Sequence, residues 1–431
     1  MFDGYNVKLA SIYTATGPWS GYGSGREDCY RTMTPKSSTG LAELSSLIDD
    51  AVALISGFEK SLKDVVDSNG DSGRSLDPWA SEASVTDRKQ LDTLALARDV
   101  ATLIKAHSTK ISLFIINEPF TPSAISAVLR QLIEEPIPAI ATAVQQCHAD
   151  LYTKIIRRDL AWRCGRVLKE LRELIEKIPK DGKVVPQDKR NGLSGGMAEK
   201  GSIITTGLLW GACDEVISFA NLGVVGHLSR RAEQFRDTLK DVLEELKEWS
   251  DEQDEVDEDE DNDTSEEAPA EDQVDGLAND INNTHISTQA MLDEFMNSSS
   301  NIPRDDPEKI KERLASTLRR LRLTVLLYQA LTKRRLKTLP KLPLDSADTT
   351  SVVISRLDEV MPLLGKITDR FNSLAVAFYD LDSAEITKLM DQCFFDAFAV
   401  SELLAKPWDA GRQKDEFTDW VAKFQLEIKK N

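Results

Sequence analysis

Residues 353–378 read VISRLDEVMPLLGKITDRFNSLAVAF, and Val353, Leu357, Val360, Leu364, Ile367, Phe371, Leu374 and Phe378 recur in alternating steps of four and three. That spacing puts all eight side chains on one face of a helix. A period near 3.5 residues favours long helices packed side by side at a shallow angle. The same register continues through Ile386, Met390, Cys393, Ala397, Val400 and Leu404. It returns upstream in Leu41, Leu44, Ile48, Ala51, Ile55, Phe58, Leu62 and Val65, and again in Leu94, Ala97, Ala101, Ile104, Ser108, Ile111 and Ile115. A further stripe runs Leu228, Ala232, Phe235, Leu239, Val242, Leu246, Trp249. No segment alternates apolar and polar residues over strand length, and no short repeat marks a solenoid. The chain therefore reads as all-α, with two antiparallel bundles of long helices of the vinculin/talin kind.

The breaks between stripes divide the chain. A Gly/Asp/Ser stretch at 68–75 ends the first stripe, and Asn117-Glu118-Pro119 ends the second. Thr121-Pro122 and Asp306-Pro307 each read as an N-cap followed by proline in the first helical turn. Pro136 and Pro138 predict a break, after which one helical run extends from about Ile140 to Ile178 and stops at Pro179. Residues 180–200 read as a polar loop, Ser202 to about Ala220 as helix, and Asn221 to Gly226 as a loop. The expected organisation is a disordered tail over 1–38, an N-terminal bundle over 39–249, an acidic disordered linker over 250–305 and a C-terminal bundle over 306–431.

The chain has 431 residues and a formal charge of −19, and fifteen of its acidic residues fall in 251–275, which holds no Lys or Arg. Without that tract the charge would be −4. The tract cannot desolvate so many like charges and reads as a hydrated linker or a dock for a basic partner. Ser250, Thr264 and Ser265 lie beside acids, as kinase sites do. Direct binding to nucleic acid or to an anionic membrane is disfavoured, because like charges repel. No uninterrupted apolar run reaches eighteen residues, so no transmembrane helix is expected. The N-terminus lacks a signal-peptide pattern, which points to cytosol or nucleus.

Little in the sequence suggests catalysis. The five cysteines form no CxxC, and the four histidines fit no zinc spacing. Cys147 and His148 are adjacent, so their side chains diverge on a helix. Gly21-Tyr22-Gly23-Ser24-Gly25 lacks the Lys-Ser/Thr ending of a phosphate loop, and Asn262, Asn282 and Asn297 begin chance glycosylation triplets. No catalytic, cofactor-binding or metal residue is expected. Three other features are candidate sites. Lys333, Arg334, Arg335 and Lys337 form the densest basic run, either a nuclear import signal or cations offsetting a helix C-terminus. Arg319, Arg320 and Arg322 could join that run in facing the acidic linker. Phe417, Trp420 and Phe424 form the apolar side of an amphipathic end segment, either a partner surface or a face docked on its own bundle. Gly207 and Gly211 share a helical face, at a cost of about 1 kcal/mol each relative to Ala. Close approach of another helix, with Trp210 filling space beside it, is the expected compensation.

Thr206-Gly207 and Trp210-x-x-Cys213-Asp214 carry a further reading. With the loop at 221–226, the helix at 236–246 and the acidic stretch after it, they resemble the GCIP family of cyclin-D-interacting proteins, and a fungal-type member in particular. The resemblance extends over roughly 40–425 and is closest over 200–250. It implies an all-helical, non-enzymatic interaction protein of nucleus and cytoplasm. Its partners would be D-type cyclins, adaptor proteins or transcription regulators, and its role negative control of cell-cycle entry or transcription. The tract at 251–275 is long for the family, and 1–38 match nothing in it. Two other functions remain open: a cytoskeletal or adhesion linker of the vinculin/catenin type, and an enzyme with an unrecognised site.

Overall fold

The computed structural model describes residues 36–70, 92–190, 201–259, 302–303, 305–344, 347–409 and 411–430. Every regular element among them is helical. In chain order these are α1 (Lys36–Asp67), α2 (Thr93–Ile116), α3 (Pro122–Glu134), α4 (Pro136–Gln146), α5 (Ala149–Tyr152), α6 (Lys154–Glu176), α7 (Gln187–Arg190) and α8 (Ser202–Asp259). They are followed by α9 (Ile310–Ala330), a π turn (Leu331–Arg335), a 3-10 turn (Leu336–Thr338), α10 (Ala347–Tyr379), α11 (Ser383–Ala405) and α12 (Glu416–Ile428).

The stripes read from the sequence are the buried faces. All eight of the Val353–Phe378 positions are buried in α10, and all seven of the Leu94–Ile115 positions are buried in α2. Helix α1 packs on α6 and α3, and α2 packs on α4 and on the first half of α8. Helix α10 packs on α11, and α12 packs on α11, on α9 and on the π turn. Tyr328 of α9 donates its hydroxyl to the Leu364 carbonyl of α10 at 2.7 Å. Arg356 of α10 reaches the carbonyls of Leu403 and Lys406 at 3.0 and 2.6 Å, a cation on the C-terminal end of α11.

Helix α8 serves both groups of helices. It bends at Gly223, whose φ of 63° and ψ of −176° belong to a region only glycine occupies readily. Before the bend it lies on α2 and α6; after it, Phe235 packs against the backbone of Gly365 and Trp249 packs on Phe378 and Tyr379. The buried apolar residues of the two groups accordingly form one continuous core. The loop expected over 221–226 shrinks to this single non-helical residue, because the helix hydrogen-bond ladder resumes at once.

Other boundaries also differ from the expectation. The helical run expected from 140 to 178 breaks at Cys147-His148 and at Thr153, which has a φ of 90°. Thr153 caps α6 by accepting a hydrogen bond from the Ile156 amide at 3.2 Å. Gly70, at the end of α1, meets this junction so closely that a Cβ there would lie 2.2 Å from the Lys154 carbonyl oxygen. From the other side, the Asp358 carboxylate of α10 accepts the Lys154 amide at 2.9 Å. Asp306 does not begin the helix beside Pro307. Helix α9 starts at Ile310, and Asp306 accepts the amides of Ile310 and Lys311 at 2.7 and 3.0 Å. Residues 250–259 are the last turns of α8, and the Gln253 side chain accepts the Ile302 amide at 2.8 Å. The expected tail up to residue 35, and the expected linker over 260–301, lie outside the described residues.

Candidate functional site

The first half of α8 is held by its inner face. Thr205, Thr206, Leu209, Ala212, Cys213, Val216 and Phe219 are buried. The Thr206 hydroxyl lies 2.8 Å from the Ser202 carbonyl and 3.1 Å from the Ser112 hydroxyl of α2. Asp214 pairs with Lys105 of α2 at 2.6 Å, and Glu215 pairs with Arg166 of α6 at 2.6 Å.

The outer face of the same turns is apolar. Ile203, Ile204, Leu208 and Trp210 are 45%, 44%, 37% and 38% exposed, with Gly207 and Gly211 between them. The close helix approach expected at the two glycines does not occur: a Cβ at either would have nothing within 4 Å among the described residues. The reason is phase. Leu209, Ala212 and Val216 take the inner face, the two glycines fall on the opposite side of the helix, and Trp210 sits at the edge between the two, 38% exposed. An eighteen-residue window within Ser202–Gln253 has a mean hydropathy of 1.4, and only 33% of it is buried. Averaged this way, α8 is long and apolar enough to cross a membrane by length and composition, although the sequence holds no uninterrupted apolar run of that length. A contiguous apolar patch is a usual mark of an interaction surface.

Next to this face, at the bend, a cleft of about 350 Å³ opens between α6 and α8. Asp159 and Arg163 line it from α6, and Glu215, Phe219, His227, Arg230 and Arg231 from α8. His227 Nε2 lies 2.8 Å from the Asp159 carboxylate, and Arg231 lies 3.4 Å from it. Burial opposes the charged form of Asp159, but His227, Arg231 and Arg158 outweigh it and hold this carboxyl below its ordinary range. The Arg163 guanidinium sits 4.6 Å from the centre of the Phe219 ring. Burial lowers the Arg163 pKa, and neighbouring Arg230 adds to that lowering. Sequence reasoning passed over this cluster because its members come from two helices. Its trace in the sequence is the four-residue spacing of Asp159 with Arg163 and of His227 with Arg231.

The other candidate residues are placed differently from their sharper readings. In the basic run, Arg335 is fully buried against Asp415 at 2.6 Å, and Arg334 pairs with Glu416 at 3.2 Å. Lys333 and Lys337 are exposed and Arg334 is half-buried, so the four side chains do not share one open surface. Arg319 reaches Glu427 of α12 at 3.4 Å, and Arg320 lies over the Phe394 ring, so both face the C-terminal helices. Phe417 and Phe424 are buried, and Trp420 stacks on them half-buried. That face of α12 docks on its own bundle. Ser250 lies within α8; Thr264, Ser265 and the three glycosylation triplets lie outside the described residues. Cys147, Cys164, Cys213 and Cys393 are free thiols, all buried. Among the described residues no group of three or more His, Cys, Asp or Glu is placed to hold a metal.

The fold and the site together define an all-helical protein whose most distinctive chemistry lies on the outside of α8. Residues 97–252 match the family model described as Grap2 and cyclin-D-interacting, N-terminal, a match over about a third of the chain. It is also similar to an uncharacterized protein of Schizosaccharomyces pombe, with 29% identity over 155 residues. That alignment covers 36% of this chain and 43% of the relative, so the match spans less than half of the relative's length. No solved structure matches the chain.

Proposed function

We propose that this protein is a non-enzymatic regulator that acts by binding other proteins, with a D-type cyclin or a comparable cell-cycle or transcription regulator as the partner class. The observation that carries the reading is the family match over residues 97–252, which includes the whole exposed apolar face of α8. On this reading an amphipathic helix of the partner lies along Ile203, Ile204, Leu208 and Trp210, and the two glycines let its backbone come close. The consequence is negative control of cell-cycle entry or of transcription, exercised in nucleus and cytoplasm.

Affinity enrichment with mass spectrometry tests this, comparing the full chain with an Ile204→Asp, Leu208→Asp double variant. Both positions are exposed, so the variant keeps its fold. The expected result is enrichment of cyclins, their kinases or transcription regulators by the wild type, and loss of that set by the variant. Enrichment of actin or junction proteins instead, or an identical set from both proteins, overturns the proposal.

A further inference from the structure

The cleft at the bend of α8 is distinct from the apolar face. It carries a surplus of cations in a chain that is strongly acidic as a whole. Arg163, Arg230 and Arg231 line it. Its two carboxylates are already engaged: Asp159 by His227, Arg231 and Arg158, and Glu215 by Arg166. Arg230 is exposed and has no carboxylate partner among the described residues. Three guanidinium groups therefore converge where the carboxylates able to neutralise them are shared or spent. Arg230 lowers the Arg163 pKa, so each of these cations raises the cost of the other unless an anion is shared between them.

We propose that this cleft binds the phosphorylated side chain of a partner peptide. One carboxylate satisfies one bidentate guanidinium fork. A phosphate monoester carries close to two negative charges and three acceptor oxygens, and so can engage two or three forks at once. Arg163, held against the Phe219 ring, forms the floor, and Arg230 and Arg231 close from α8. The cleft volume of about 350 Å³ admits one phosphorylated side chain and little of a polynucleotide backbone. The net charge of −19 disfavours polynucleotides and anionic membranes at longer range. The bend at Gly223 is what sets Phe219 and Glu215 on one side of the cleft and His227, Arg230 and Arg231 on the other. This inference does not rest on the apolar face of α8 or on the identity of its partner.

The test uses the full chain immobilised against an oriented library of phosphoserine dodecapeptides and the same library unphosphorylated. Anisotropy titrations of one retained, dye-labelled peptide follow. The expected result is at least tenfold tighter binding of the phosphorylated form. Arg230→Glu, which breaks no ion pair or hydrogen bond among the described residues, should weaken it at least tenfold with an unchanged melting temperature. Leu208→Asp should leave it intact. Inorganic phosphate should compete only at millimolar concentration, and single-stranded DNA at equal phosphate concentration should compete no better. Equal retention of the two libraries, no effect of Arg230→Glu, or stronger competition by DNA or by free phosphate than by the peptide would each overturn the proposal.

Discussion

The Arg335 guanidinium, on a side chain with no exposed surface, donates to the Asp415 carboxylate at 2.6 and 3.1 Å. Asp415 also caps α12, accepting the Thr418 amide at 2.9 Å. One carboxylate thus neutralises a buried cation and starts a helix. Asp415→Ala should cost about 3–5 kcal/mol of stability, most of it from the unpaired buried charge. Asp415→Asn keeps the cap and should recover about 1 kcal/mol of that loss. Urea titration of the three proteins measures both differences, and equal stability of wild type and Asp415→Ala would contradict the assignment.

Gly207→Ala and Gly211→Ala should each stabilise the protein, by about 0.5–1 kcal/mol. Both glycines lie in a helix with nothing within 4 Å of an added Cβ among the described residues, so a methyl group gains helix propensity without a clash. A tight helix crossing at this face would give the opposite sign. Thermal melts of the single variants decide the matter.

The bend of α8 behaves differently. Gly223→Ala places an L-residue at φ 63° and ψ −176°, which costs about 1–3 kcal/mol even though the site is spacious. If α8 straightens to escape that strain, Phe235 or Phe219 must leave its packing. Either way the variant melts lower, and small-angle scattering separates a strained bend from a straightened one.

Asp159 and Asp415 both titrate below the ordinary carboxylate value of about 4, because the cations and amides around them outweigh the effect of burial. A carboxyl with a depressed folded pKa stabilises the fold above the unfolded pKa and loses that contribution as the pH falls through the folded value. The stability gap between wild type and Asp159→Asn should therefore be full above about pH 5 and shrink steadily below pH 4. A gap that does not change with pH would mean that Asp159 acts only through its shape.

Burial pushes the thiols of Cys147, Cys213 and Cys393 up to about 12, and that of Cys164 upward as well. At pH 8 a thiol titrating near 12 is thiolate in roughly one molecule in ten thousand. All four should resist iodoacetamide in the native protein and react fully in denaturant. Peptide mass mapping reads each site separately.

The architecture was legible in the sequence wherever burial sets a period. The α10 stripe from Val353 to Phe378 and the α2 stripe from Leu94 to Ile115 are buried throughout, because only one face of each helix meets the core. The break at Thr153 was harder to read, because it needs a residue at positive φ inside a helical run. The one at Gly223 was read in the right place but too long, as a loop over 221–226 and not a single non-helical residue. The facing of Gly207 and Trp210 was misjudged because a helix can bury either side, and the deciding contacts, Ser112 and Lys105, lie a hundred residues away. The cleft residues gave the least signal: Asp159 and His227 are distant in the chain and meet only when α6 and α8 pack.

The family match ends at residue 252, but the last turns of α8 complete their packing only with Phe378 and Tyr379. During synthesis, Leu239, Val242, Leu246 and Trp249 leave the ribosome more than a hundred residues ahead of those two rings. This apolar ridge therefore waits uncovered in the nascent chain, where such surfaces invite aggregation. The fifteen carboxylates of 251–275 emerge directly behind it. Like charges at that density keep chains apart, so nascent copies that expose this ridge should associate less readily than copies in which those carboxylates are replaced by amides.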